Sequence, residues 1–410
     1  MSIRWNFPLA QVIAVGFICF CCPGMYNALN SGGGGQLDSK VGQNANVALY
    51  TCFVIFGLLA GAIHNKLGPK WTILIGCSTY VLYAGSLLCY NHINGTFTIA
   101  LLPPVVSSVV ELGAIMMAYP REHDKGRFIG YFWAIFNAGV VLGSVVAFAI
   151  NNKSLGDSTY TVFISFMAIG TLIALSLCPP TSVTHSNGDK IQIQAFPTWT
   201  SDVIAVMKLF LDWRMIVLIP MFLSFDWFYS YQFPTVNGAY FSTRTQSLNI
   251  SYWFSQIGGS WMLARVLDYQ GINRKTRSLW GVIIITACFV ATWIGGIFFQ
   301  KGYIITDSKG NHDYTEGISY WLMGALSNDV TVLSRYAGFY RCIQSSGAAI
   351  AWRINAVGTP YMAELIICFA LLIASLPGAH FLTFRIKDHS DEAAPDHDMQ
   401  KVDGKQEVIA

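Results

Sequence analysis

The stretch Phe7-Pro-Leu-Ala-Gln-Val-Ile-Ala-Val-Gly-Phe-Ile-Cys-Phe-Cys-Cys-Pro-Gly-Met-Tyr-Asn-Ala-Leu29 contains no charged side chain, and the uncharged run around it reaches from Arg4 to Asp38. A helix needs about 20 apolar residues to cross the hydrocarbon core of a bilayer, so the run has length to spare. It exceeds the apolar core of a cleavable signal and lacks a clear small-residue cleavage site. It therefore reads as a retained first span. The pattern recurs as far as residue 384. Of the 410 residues, 53% are hydrophobic and only 11% charged, with mean hydropathy +0.46, whereas a soluble domain spends about a quarter of its residues on charge. Hydrocarbon is the expected solvent.

Lipid supplies no water for backbone polar groups, so long apolar runs must close their hydrogen bonds internally as helices. The expected class is all-α and polytopic, with spans at Phe7 to Leu29, Val41 to Ile63, Trp71 to Tyr90, Phe97 to Tyr119, Phe128 to Ile150 and Tyr160 to Cys178. After a polar connection come Met215 to Phe233, Ser247 to Leu263, Leu279 to Phe299, Ile318 to Leu333, Gly338 to Val357 and Tyr361 to Phe384. This divides the chain into a six-helix unit at 1–178, a linker at 179–214, a second six-helix unit at 215–384 and a polar, disordered tail at 385–410. Within the linker, Val203 to Leu211 is amphipathic and suited to lying along the membrane surface.

Lys and Arg accumulate in cytoplasmic loops. With both termini cytoplasmic, 18 of the 25 basic residues fall inside and 5 outside, leaving Arg341 and Arg353 within span 11. The sequons at Asn94, Asn152 and Asn249 then lie at outer loops or span ends, as N-glycosylation acceptors should. A net charge of +3 with scattered basic residues gives no reason to expect nucleic acid as a partner. All ten cysteines lie in or beside apolar runs, where they act as small hydrophobes. No paired histidine spacing for a metal, no nucleophile elbow and no nucleotide loop is present, which argues against an enzyme and against a cofactor.

Between spans 2 and 3 stands Gly61-Ala-Ile-His-Asn65-Lys66-Leu-Gly68-Pro-Lys70, a helix end, a tight turn and two cations. Between spans 8 and 9, Gly259, Arg265, Asp268, Arg274, Lys275 and Arg277 repeat the theme. Further stretches are Ala114-Ile-Met-Met-Ala-Tyr119-Pro120, Lys125-Gly-Arg127-Phe-Ile-Gly-Tyr-Phe-Trp133-Ala-Ile-Phe-Asn137, Ser319-Tyr-Trp321-Leu-Met-Gly324-Ala-Leu-Ser-Asn328-Asp329, Gly338-Phe-Tyr340 and Gln344-Ser-Ser-Gly347. Together these resemble the fungal Unc-93-like branch of the major facilitator superfamily. The resemblance implies two pseudo-repeated six-helix bundles, and conformational-latch loops at Gly61, Asn65, Lys66, Gly68, Lys70, Asp268, Arg274 and Arg277. At Asn65 the superfamily usually has Asp, so here the hydrogen bond stays and the charge is lost. Family members are either transporters or regulators and trafficking partners of other membrane proteins.

Two segments depart from that pattern. Leu101-Leu-Pro103-Pro104-Val-Val-Ser-Ser-Val-Val110-Glu111 places paired prolines and an acid in span 4, poor material for a straight lipid-facing helix. Span 10 is short, because polar Thr306 to Glu316 leads into an apolar run of only about ten residues. If it does not cross, everything after it inverts against the charge rule.

A charge at the centre of a span costs about 2.5–3.5 kcal/mol on insertion scales and must face protein or water. Asp226, mid-span 7, is the leading candidate contact for a proton or substrate, the alternative being a hydrogen-bonded structural Asp. Glu111 would share the central cavity. Arg353 could hold an anionic substrate, pair with an acid, or snorkel. Arg341 reads as an inner-end anchor and Glu364 as interfacial. Gly139 and Gly143 read as helix packing, and Trp71, Trp213, Trp280 and Trp352 as belt anchors. The functional expectation is a secondary transporter of an unidentified small solute, with a non-transporting subunit of another membrane protein as the alternative.

Overall fold

The computed structural model describes residues 5–31, 39–93, 115, 119, 120, 124–150, 157–184, 199–237, 250–269, 271–302 and 330–385. Span 4 with Glu111, most of span 10, the sequons at Asn94, Asn152 and Asn249, and the tail lie outside them, apart from a few span-end residues. Helices account for nearly all of the described chain. Seven are long and apolar enough to cross a membrane, as multi-pass membrane architecture requires.

Helix α1 (Pro8–Cys21) begins with proline in its first turn, where a missing N–H costs nothing, and breaks at Cys22 before α2 (Pro23–Ser31) continues the same span. Helix α3 (Ser39–Ile93) is two helices joined at Gly68, which has φ +75° and ψ 164°. A side chain there would be strained, so the Gly-Pro turn read from the sequence sets the sharp reversal between spans 2 and 3. Helices α4 (Lys125–Ile150) and α5 (Asp157–Ala174) follow. The linker forms α6 (Trp199–Lys208) and a 3-10 turn at Leu209–Leu211.

Helix α7 (Trp213–Ser224) starts with the Asp212 carboxylate accepting the Arg214 N–H at 2.9 Å, an N-cap. At 12 residues it spans about 18 Å, too short to cross. A turn at residues 225–228 and a π-helical segment at Tyr231–Asn237 carry the chain onward. Span 7 is therefore interrupted, where the sequence suggested one helix. Then come α8 (Ile250–Leu267), α9 (Arg274–Gly302), α10 (Val330–Ala356) and α11 (Tyr361–Arg385).

Helices α1 and α2 pack on α4, and α7 packs on α10 and α11. Two pairings tie the earlier helices to the later ones: α3 with α10, and α4 with α8. Small residues allow both. A Cβ added at Gly57 would lie 3.2 Å from the Cys342 backbone nitrogen, and one at Gly130 3.0 Å from Ala264 Cβ. Gly139 faces the Phe20 backbone and Gly143 the Ala28 side chain, so the small-residue row of α4 is a packing face as its spacing suggests. Helix α6 sits against α3 and α10, with Phe210 edge-on to Phe339 at 4.7 Å and Ile204, Met207 and Leu211 exposed. Trp71, Trp213 and Trp280 are exposed as belt residues are, whereas Trp352 is buried.

Candidate functional site

The site lies where α7 gives way to the turn that interrupts span 7. Phe222, Phe225 and Tyr340 pack around that turn, with Tyr340 5.1 Å from Phe222 and 5.7 Å from Phe225. They leave Asp226, whose side chain is 6% exposed, pointing at α10. Gln344 Nε2 donates to Asp226 Oδ1 at 2.9 Å. Arg341 Nη1 lies 3.5 Å from Asp226 Oδ2 and donates to Gln344 Oε1 at 2.7 Å. The guanidinium also sits 4.9 Å from the centre of the Phe53 ring of α3, a cation–π contact that gains strength when desolvated. Three helical elements therefore converge on one carboxylate, one guanidinium and one amide.

Tyrosines line the N-terminal side. Tyr26 lies 5.9 Å from Tyr80 and 5.5 Å from Tyr83. It donates to Asn46 Oδ1 at 3.1 Å, and Asn46 Nδ2 donates to Asn30 Oδ1 at 3.2 Å. Tyr26 is close enough to Asp226, and Tyr80 to Arg341, to interact electrostatically. Tyr50 stands edge-on to Phe53 at 5.6 Å.

A second polar chain joins α3, α10 and α11. Gln43 donates to Asn355 Oδ1, and Asn355 Nδ2 donates to both oxygens of Glu364, at 2.9 and 3.0 Å. Glu364 is buried, which corrects its reading as an interfacial residue: the amide of Asn355 satisfies it instead of water. Arg353 is exposed and donates to Asn44 Oδ1 at 3.3 Å. It is not brought to Asp226.

Of the residues expected to form latch loops, Asp268 makes a contact between helices. Its carboxylate accepts from the Gly126 N–H at 2.9 Å and from the Arg127 N–H, groups left unpaired at the start of any helix. Its partner is thus the N-terminus of α4, across the α4–α8 pairing. Gly126 makes room, since a Cβ there would overlap the carboxylate. Burial pushes the Asp268 carboxyl up to about 6 against the opposing pull of those two N–H groups. Arg277 Nη1 donates to Leu267 O at 3.1 Å, closing the last turn of α8. Lys66 is exposed, Lys70 is half-buried and Gly68 forms the turn. Gly61 and Asn65 lie in the first arm of α3 and Arg274 opens α9. The side chains of Asn65 and Arg274 lie outside the described part of the structure.

Arg341 and Gln344 are the residues that sequence reasoning missed. Arg341 was visible as a charge within a span, but a helix drawn from Gly338 puts it at the membrane edge. With α10 starting at Val330, it lies about three turns in, which corrects its reading as an anchor. Nothing in the local sequence could pair it with a carboxylate 115 positions away. Among the described residues no group of three His, Cys, Asp or Glu side chains is placed to hold a metal ion, and none of the ten cysteines is in a disulfide.

The family model described as "Ion channel regulatory protein UNC-93" matches residues 33–304. UNC93-like protein 1 of Arabidopsis thaliana is 38% identical over an alignment of 430 residues, covering 96% of this chain and 94% of the relative. An UNC93-like protein of Schizosaccharomyces pombe is 39% identical over 92% of this chain and 82% of its own length. Among solved structures, the Escherichia coli fucose:proton symporter FucP aligns with a TM-score of 0.58 at 14% identity, over 92% of this chain and 99% of that one. The proton:xylose symporter XylE aligns with a TM-score of 0.59 at 12% identity, over 94% and 96%. Both belong to the major facilitator superfamily by title, and at these identities the likeness is one of fold.

Proposed function

Because the chain belongs to the UNC-93 family and has the fold of the major facilitator superfamily, we propose that it is a secondary active transporter, moving a small solute by alternating access between two six-helix bundles. The bundles correspond to residues 1–178 and 215–384, joined by the linker at 179–214. Both termini and the 385–410 tail are cytoplasmic in this reading, and Asn94, Asn152 and Asn249 are glycosylation candidates on the outer side.

The observation that carries the reading is the buried Asp226–Arg341–Gln344 cluster at the interruption of span 7. A buried ion pair is a poor stabiliser, because replacing one with well-packed apolar residues is often neutral or stabilising, by about 1–4 kcal/mol. Irregular backbone at membrane depth is tolerated only where protein buries it or it lines a cavity, and interrupted helices of this kind form transporter binding sites. Charge, amide and interrupted helix coincide at one place, an expensive arrangement that transport would explain. Function belongs to sites rather than folds, so the argument rests on this cluster.

The family description favours a second reading, in which the chain is a non-transporting regulatory subunit of another membrane protein. One experiment separates the two. Purified protein is reconstituted in liposomes, a proton gradient is imposed and solute accumulation is screened against protein-free vesicles. Accumulation abolished by a protonophore supports transport. No accumulation, together with affinity capture of one stoichiometric membrane partner, supports the regulatory reading.

A further inference from the structure

Resting on the transporter reading, the geometry points to a solute class: a small organic monoanion with an apolar or aromatic body, bound at Arg341 in exchange for Asp226 and carried with one proton. The argument is an asymmetry within the pair. Asp226 and Arg341 are 6% and 12% exposed, so neither charge can be left alone without a heavy desolvation penalty. A cationic solute would take Asp226 and strand the guanidinium, which cannot lose a proton in a protein. An anionic solute takes the guanidinium and leaves the carboxylate, which a single proton neutralises. Only the second exchange ends with no uncompensated charge. A neutral solute offers neither charge a new partner.

An unpaired donor one turn away suits the same solute. Helical spacing puts Arg341 and Ser345 on one face of α10, and Ser345 is 0% exposed, yet its Oγ has no hydrogen-bond partner among the described residues. A hydroxyl can donate to an anion oxygen. Gln344 and the Phe53 ring hold the guanidinium, so it keeps its place when Asp226 lets go. Tyr26, Tyr80 and Tyr340 are buried aromatic neighbours of the cluster, surroundings that suit an apolar or aromatic body.

The exchange balances. One proton from water forms an O–H bond on the Asp226 carboxylate, the guanidinium keeps all its protons and changes its oxygen partner, and nothing is oxidised or reduced. One anion and one proton cross together and no net charge moves.

Benzoate, benzamide and benzylamine are suitable probes, with the thermal midpoint of the purified full-length protein in detergent as the readout. At pH values where benzoate is ionised, benzoate is expected to stabilise the protein and the amide and amine are not. Its apparent affinity should rise about ten-fold for each pH unit lowered, because one proton is taken up per anion. Asp226→Asn should bind benzoate with no pH slope, and the Asp226→Asn, Arg341→Gln double variant should lose it. Stabilisation by benzylamine, a benzoate affinity indifferent to pH, no benzoate effect at any pH, or undiminished binding in the double variant each overturns the proposal. If the variants do not fold, the wild-type pH slope and the benzoate–benzylamine comparison decide. Benzoate binding without transport into liposomes would remove the transporter reading and leave the anion site. Accumulation of an amine or a neutral solute would do the reverse.

Discussion

Asp268 is pulled in two directions: burial raises its carboxyl from an ordinary 3.8 to about 6, while the N–H groups of Arg127 and Gly126 favour the charged form. Asp124 nearby adds to the rise and the Arg127 cation opposes it. Because the folded value exceeds the unfolded one, the folded state holds a proton between them. The resulting stability is complete below about pH 4 and lost as pH rises through about 6. The thermal midpoint is therefore expected to fall between about pH 5 and pH 7, and Asp268→Asn should flatten that fall while raising the midpoint at neutral pH. An unchanged slope in the variant would remove Asp268 as its source. The acid was legible in the sequence as a charge in the loop after span 8. Its partner was not, because the groups it binds are backbone N–H, which every residue but proline carries. Arg341 and Glu364 make the same point: insertion cost marks both as costly, but only the packing of α10 against α7 and the hydrogen bonds from Asn355 to Glu364 show which neighbour relieves the cost.

Close approach governs the elements. In α4 a Cβ at Gly139 would fall 2.4 Å from Phe20 O and 2.6 Å from Phe20 Cα, backbone atoms that cannot rotate away. Gly139→Ala is predicted to cost about 1–3 kcal/mol by overpacking, read as a lowered thermal midpoint in detergent. Gly85, in the second arm of α3, has nothing within 4 Å of an added Cβ. There, alanine should stabilise by about 0.5–1 kcal/mol through reduced backbone entropy. Equal effects at the two positions would mean that helix propensity, not contact, decides the outcome. The Gly139–Gly143 spacing was readable in advance. The interruption at residues 225–228 was not, since Phe-Asp-Trp-Phe contains neither glycine nor proline and Pro220 and Pro234 only flank it. The opening of span 1 at Pro23 did have a visible cause.

At the scale of the molecule, hydropathy and charge counting identified a membrane-embedded helical chain because lipid imposes that pattern on every span. The rule weakens where helices face one another. Helix α10, 27 residues long, is not among the spans that pass on hydropathy, since it carries polar Arg335, Gln344, Ser345 and Asn355, which are buried against protein, and Arg341, whose side chain is 12% exposed. Polarity that hides a span from a hydropathy scale is the same polarity that builds the candidate site. Coupling of that site to a proton is the central claim. The most direct test compares two modes of transport in proteoliposomes for a solute accumulated by the wild type. Asp226→Asn should still exchange labelled for unlabelled solute across the membrane, but should no longer accumulate it down an imposed proton gradient. Gradient-driven accumulation in Asp226→Asn, with the pH dependence of the wild type, would contradict the account.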